Sequence, residues 1–557
     1  YRRWQFRHPY PEDLRAILEE KNLDVAWFFD AMQTRKQVDF KLKKIVLKPL
    51  NFEPGSSAIP TPGWLLEIEN KGELFAPFSV TALKNGNPLK TKWFPAGVGQ
   101  STQIVDFSIP DTVIYPDAFE IDWPRKTLDL NRKDNFRRTS GLFPGMRPLE
   151  YRSLAIFQNA RRNTIAAIPW LGWNNYDKMM LGLLVYNPPL PSRKFQYYLL
   201  PGYSTGSKKM VGLADLRYKF FPGGWFPKVT VGVAAKSFDF DYNVADDYYS
   251  RFYRIAPQIR AELSSGSMSF SHAVNFRTLI IGREAALRSI EGQYLGKTWK
   301  KNTIYELRYE GEEHRLPNPY SFQIALETQG YRDALDQPAH YLRGTAMWRQ
   351  KFFYRDKKKI MMRLFAGYFI QSTQRNRSVE ETALSLNPQG FNDYKFDQTF
   401  LARSGADEFL GRQVSQTEGG FKGAFGPAAA GTIGNSNNYI LALNLKADLP
   451  LRLPLGTMLK PYFDLGYYDD ATINGKNRPT REQLLWSGGL MLEFFKGGLE
   501  VYFPLVNSRF LNDQYCDQAG GTRQSSIFCG GDYRKMISWS MRLNFSDPIK
   551  MVEDAVR

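Results

Sequence analysis

The sequence predicts an all-β membrane protein: an antiparallel transmembrane β-barrel of about 16 strands, preceded by a short helical segment and a periplasmic β-sandwich. Three observations carry this reading. The first is a period of two in many segments. In RKMISWSMRLNF (534–545), Ile537, Trp539, Met541, Leu543 and Phe545 share one face, and Ser538, Ser540, Arg542 and Asn544 share the other. The pattern returns in GLEVYFPL, in YILALNLKA and in TIYELRYE, where Tyr305, Leu307 and Tyr309 oppose Glu306, Arg308 and Glu310. Charges on one face of so many strands do not fit a packed soluble core, but they fit a wide barrel that is polar inside and apolar outside. The second is composition. The 557 residues are 43% hydrophobic without a run of 18 apolar residues, so no transmembrane helix is expected, and the 15% aromatic content suits interfacial belts. The third is loop length, which segregates between the two ends of the strands.

Taken in order, residues 1–39 read as helical. In HPYPEDLRAILEEKNLDVAWFFDAMQ, Pro11, Glu12 and Asp13 mark a helix start, and Leu14, Ile17 and Leu18 recur at helical spacing. This stretch, running into TRKQVDFKLKKIVL, resembles the end of the catalytic unit of M1-family (gluzincin) aminopeptidases, where a helix with a DLDWFF-like signature leads into a β-sandwich. The match covers about Trp4 to Ile45, and departs from the family pattern at Val25, Ala26 and Met32. The resemblance implies an M1-peptidase-like region fused to an outer-membrane barrel of Bacteroidota type, with the zinc ligands upstream of Tyr1. Zinc is therefore expected only with such an upstream region, and no cofactor within this chain. Residues 40–123 read as an immunoglobulin-like sandwich, with Asn85-Gly86 favouring a tight hairpin. Residues 124–162, containing PRKTLDLNRKDNFRR, read as a basic connector, and 546–557 as a C-terminal tail.

Barrel strands are expected near 163–172, 178–187, 195–203, 209–220, 228–239, 251–263, 268–284, 300–312, 319–331, 338–353, 359–372, 436–448, 458–469, 484–494, 498–507 and 534–545, within a 163–545 domain. One set of connections includes SSGS (264–267), YRDKKK (354–359) and FKGG (495–498). The other holds the four longest gaps, 285–299, 373–435, 471–483 and 508–533. The first end is expected in the periplasm and the second outside the cell. Cys516 and Cys529 both fall in the last long loop, where an oxidising compartment favours a disulfide. Sixteen strands with a long sixth outer loop also resemble, in topology, the Omp85 superfamily of assembly proteins. The VRGF-like motif of that loop is absent, with LGRQ and EGGF in its place.

The chemistry expected of the chain follows. If 373–435 folds inward, Arg403 or Arg412 should reach lumen acids such as Glu306, Glu310 or Asp464, since a desolvated guanidinium needs a carboxylate. Leu443, Trp539 and Phe545 should face lipid. His8, His272, His314 and His340 contain no pair one helical turn apart, so no metal ligand or catalytic residue is assigned, and Asp246-Asp247 reads as solvated loop charge. The net charge of +18 is spread along the chain rather than gathered in a nucleic-acid motif, so the expected partners are outer-membrane lipid and lipopolysaccharide, with no nucleic acid. The resemblances imply other outer-membrane assembly or secretion subunits as further partners, including the barrel-assembly machinery. Three functional classes follow: a membrane anchor for a peptidase-like region, a transport or assembly barrel working through its lumen or rim, and, ranked last, an enzyme acting through residues of this chain.

Overall fold

The computed structural model describes residues 4, 8–21, 25–33, 37–48, 63–95, 101–109, 115–127, 129–159, 161–190, 193–289, 293–315, 317–332, 336–355, 358–373, 375, 382–404, 408–424, 433–451, 454–469, 483–522 and 529–542. These form two compact units, one of residues 1–150 with 159–164 and one of 151–158 with 165–557.

The first unit begins with two helices, Pro11–Glu19 and Ala26–Gln33. Two sheets follow. One pairs Phe40–Leu47, Gly63–Asn70 and Thr102–Ser108, and the other orders Asn87–Phe94, Phe78–Lys84, Ala118–Ile121 and Phe136–Arg138. Their facing apolar residues, among them Phe40, Trp64, Leu66, Phe78, Val80, Phe107 and Phe119, form a single buried core. Asn85 and Gly86 both have positive φ and join Lys84 to Asn87 by a two-residue turn, as the Asn-Gly signal requires. The stretch read as a connector is partly structured: Phe136–Arg138 completes a sheet, and Arg147 donates to Glu120 at 2.8 Å in a buried ion pair. Asp129 is buried too. Its carboxylate accepts from Phe40 N at 3.2 Å, Asn135 Nδ2 at 3.0 Å and Asn131 N at 2.9 Å, and burial pushes its pKa up to about 6 against those bonds.

In the second unit, every one of the sixteen expected strands is present, from Asn163–Asn174 and Lys178–Tyr186 to Leu499–Asn507 and Ser538–Met541. Neighbours in sequence pair antiparallel around a closed barrel, and a seventeenth short strand, Leu149–Ser153, stands between Ser538–Met541 and Asn163–Asn174. The expected loop 285–299 is instead mostly strand. Phe270–Arg288 and Tyr294–Glu313 have 19 and 20 residues, or roughly 60 Å each at about 3.3 Å per residue, twice the ~30 Å hydrocarbon core. This hairpin therefore stands out of the membrane on the long-loop side.

The outward positions are apolar. Val231, Val233, Ile259, Leu307, Ile324, Leu326, Leu364 and Leu441 are all large, exposed and on the faces opposite buried polar residues. A closed wall satisfies the backbone while leaving such a band uncovered only where the solvent is lipid, so the unit is a transmembrane barrel. Leu443 lies half-buried on this outer face, opposite the lumen-facing Asn444. Phe545 lies outside the described residues. Trp539 departs from the expectation. It is only 4% exposed, with its ring stacked 6.0 Å from Phe409 and its Nε1 donating to Phe409 O at 2.8 Å. Alternation does point it away from Ser538 and Ser540, but a segment of the long loop covers that face, so it does not meet lipid.

Candidate functional site

The lumen is occupied by described residues of the loop between Ser372 and Tyr439, among them 382–404 and 408–424. What holds it follows from the register of the wall. Inward positions on four consecutive strands bring Arg277 opposite Glu306, Glu306 opposite Glu327, and Glu327 opposite Arg343. Directly opposed glutamates repel unless a cation stands between them. The loop supplies it: Lys395 Nζ lies 3.3 Å from Glu306 and 2.8 Å from Glu327. The loop also supplies the converse. Asp397 accepts from Arg277 Nη1 at 2.9 Å and Nη2 at 2.6 Å and from Arg254 Nη2 at 2.5 Å, while Arg277 holds Glu306 through Nε and Nη2 at 2.8 and 2.9 Å. Glu327 further accepts from Tyr341 Oη at 2.7 Å and from the loop's Tyr394. Arg343, 1% exposed, bonds Glu327, Thr382 O at 3.0 Å and Tyr394.

Two further clamps lie along the wall. Asp464 takes Lys422 through both Nζ at 2.6 Å and N at 2.8 Å, and Asn444 Nδ2 at 3.0 Å. Gln416 Nε2 donates to Glu500 at 2.5 Å and to Tyr502 Oη at 2.9 Å, and Glu500 also holds Lys446 at 2.8 Å. Small residues make room for this contact. A Cβ on Gly466 would fall 2.7 Å from Leu386 and 2.8 Å from Phe421, and one on Gly367 would fall 2.9 Å from Leu384. Leu384, Leu386 and Phe421 share a core with Leu511, Tyr515 and Cys516 of the helix Arg509–Ala519, which the Cys516–Cys529 disulfide ties back. The sixth and last long loops are thus packed together.

The acids proposed from sequence are in the lumen system, but the two arginines are not their partners. Glu306 and Asp464 are taken by Lys395 and Lys422, and Glu310 pairs with Arg260 of the neighbouring wall. Arg403 instead bonds Asp393 at 3.0 Å within the loop and stacks 4.6 Å over Phe396, because a bend of the loop returns it to its own acid. Arg412 donates to Arg534 O at 2.6 Å. There the loop runs beside the last strand: Val414 N donates to Trp539 O at 2.8 Å, and Trp539 N to Arg412 O at 3.4 Å. The residues missed were Lys395, Asp397 and Lys422. Their signal in the sequence was indirect, in the inward acids and arginines of the strands that each needed a counter-charge.

No family profile and no curated protein matches this chain. Solved structures with similar folds include BamA from Haemophilus ducreyi lacking POTRA domains 1–3, at 10% identity over 62% of this chain and 67% of that one with a TM-score of 0.35. CdiB from Acinetobacter baumannii matches at 11% identity over 61% of this chain and 54% of that one, with a TM-score of 0.32. CdiB from Escherichia coli matches at 13% over 62% and 59%, with a TM-score of 0.33. The chain spans less than two thirds of either CdiB.

Proposed function

We propose that this chain is a gated outer-membrane barrel, a subunit of an outer-membrane protein assembly or secretion apparatus, whose lumen is held shut by its own sixth loop. The observation that carries the reading is the set of buried charges divided between loop and wall, in which Lys395 and Asp397 complete a row that the strands alone leave unbalanced. Such a set is costly to leave half-made and cheap to keep whole, which suits two discrete states better than a permanently open pore. Single-chain barrels of this kind belong to Gram-negative outer membranes, with short turns in the periplasm and long loops outside, so the first unit lies on the periplasmic side. The test is conductance in planar bilayers. The intact chain should be electrically quiet, and removal of 373–435 should open a large steady conductance; a large steady conductance in the intact chain would make it a porin instead.

A second reading, in which the barrel anchors an M1-peptidase-like region, is supported by the order helix, helix, sandwich at Pro11–Ser108, the order that the resemblance implies. Native complexes isolated through the barrel should then carry zinc-dependent aminopeptidase activity, and absence of both zinc and activity would remove this reading.

A further inference from the structure

One of the wall's other like-charge pairs is of opposite sign to Glu306 and Glu327. Arg349 of Pro338–Arg355 stands directly opposite Arg363 of Lys358–Ser372. Both line a cavity of about 620 Å³ between the loop and the short-turn end of the barrel, and Arg542 lines it with them. At the glutamate pair the loop places a lysine between the like charges. At the arginine pair the described residues of the loop place no carboxylate within ion-pairing distance.

Among the described residues, none of the three arginines has a carboxylate partner. Arg349 has no side-chain hydrogen bond or ion pair among them. Arg363, 8% exposed, donates to Asn444 Oδ1 at 2.7 Å and to the Glu418 carbonyl, both neutral, and its buried Nε has no acceptor. Arg542 donates to Gln416 Oε1 at 2.5 Å, again neutral. Three acids near the cavity are already engaged, Glu500 by Lys446, Asp464 by Lys422, and Glu418 by Arg343 and Ser385 N; Glu312, on the lining, is largely exposed and has only His314 beside it at 3.7 Å. Gly420, at φ +63°, brings bare backbone against Arg363, where a Cβ would fall 2.8 Å from Nη1. Among the described residues, the cavity thus carries three guanidinium charges, none of them ion-paired, against the one lining carboxylate of Glu312.

We propose that this cavity is a binding site for a phosphate-bearing ligand, held by Arg349, Arg363 and Arg542. Guanidinium groups recognise phosphate oxygens through paired N–H donors. A carboxylate would bring one negative charge against three positive ones, whereas a phosphate monoester brings about −1.5 to −2 and three acceptor oxygens. The ligand takes the place in the arginine pair that Lys395 takes in the glutamate pair. Its phosphate comes either from a lipid headgroup or from a soluble ester.

The test uses the whole chain in non-ionic detergent at physiological ionic strength, with inorganic pyrophosphate as probe and calorimetry as readout. Wild type should bind saturably near one per chain. Arg349→Gln, which removes no contact to the loop, should weaken binding at least tenfold while the heat-modifiable fold persists. The double variant Lys300→Gln/Lys301→Gln, in the protruding hairpin, should bind as wild type. Displacement by short-chain phosphatidic acid but not by phosphatidylcholine of the same chain length assigns the ligand to lipid, and failure of both to displace assigns it to a soluble ester. Absence of saturable binding, wild-type affinity in Arg349→Gln, or an equal loss in the lysine variant overturns the proposal.

Discussion

At the scale of single residues, Glu327 joins wall and loop at four points. It accepts from Arg343, Lys395, Tyr341 and Tyr394, so Glu327→Gln leaves two buried cations short of a counter-charge. Breaking a buried pair from one side costs about 3–5 kcal/mol, and the loss here falls on the contact between loop and wall. The expected outcome is trypsin cleavage after Lys395 in the detergent-solubilised variant under conditions where the parent chain resists. Asp129 makes a prediction for pH. Its carboxyl titrates at about 6 in the fold against 3.8 ordinarily, so the folded first unit holds the proton more tightly. That contribution is complete below pH 4 and is lost as pH rises through 6, roughly 3 kcal/mol in all. Hydrogen exchange of Phe40–Leu47, corrected for intrinsic rates, should show protection falling from pH 5 to pH 8, and Asp129→Asn should flatten that slope.

At the scale of elements, the wall was legible and the loop was not. Alternation locates each long strand because every second side chain must meet either lipid or the lumen, as with Leu307 and Glu306. Leu149–Ser153 escaped because five residues, LEYRS, inside a basic stretch carry too little pattern. The loop has no period to read, so the partners of Glu306 and Asp464 depend on where a non-repeating chain happens to bend. Trp539 shows the same limit, since its outward direction was correct and its cover was tertiary. Two predictions belong here. Gly466→Val would drive a side chain into Leu386 and Phe421, and overpacking of this kind costs about 1–3 kcal/mol, read as loosened protection of 384–422 with the barrel still heat-modifiable. Cys516→Ser should release the helix Arg509–Ala519 from its tie, at roughly 3 kcal/mol by the loop-entropy argument, and should expose it to proteases before any strand.

For the whole molecule, the lipid face sets the energetic boundary. Leu443→Arg should impair insertion by about 2–4 kcal/mol if near the bilayer midplane, measured as folded yield in vesicles, while Trp539→Arg should act chiefly through the loop that covers it. The backbone bonds between Arg412–Val414 and Trp539 have a consequence of another kind. The last strand stands where the barrel closes on Leu149–Ser153, and the amide and carbonyl of Trp539 within it are both taken by the loop. The segment that fills the lumen thus also holds the seam of the wall, and its withdrawal would leave one donor and one acceptor of that seam to find other partners.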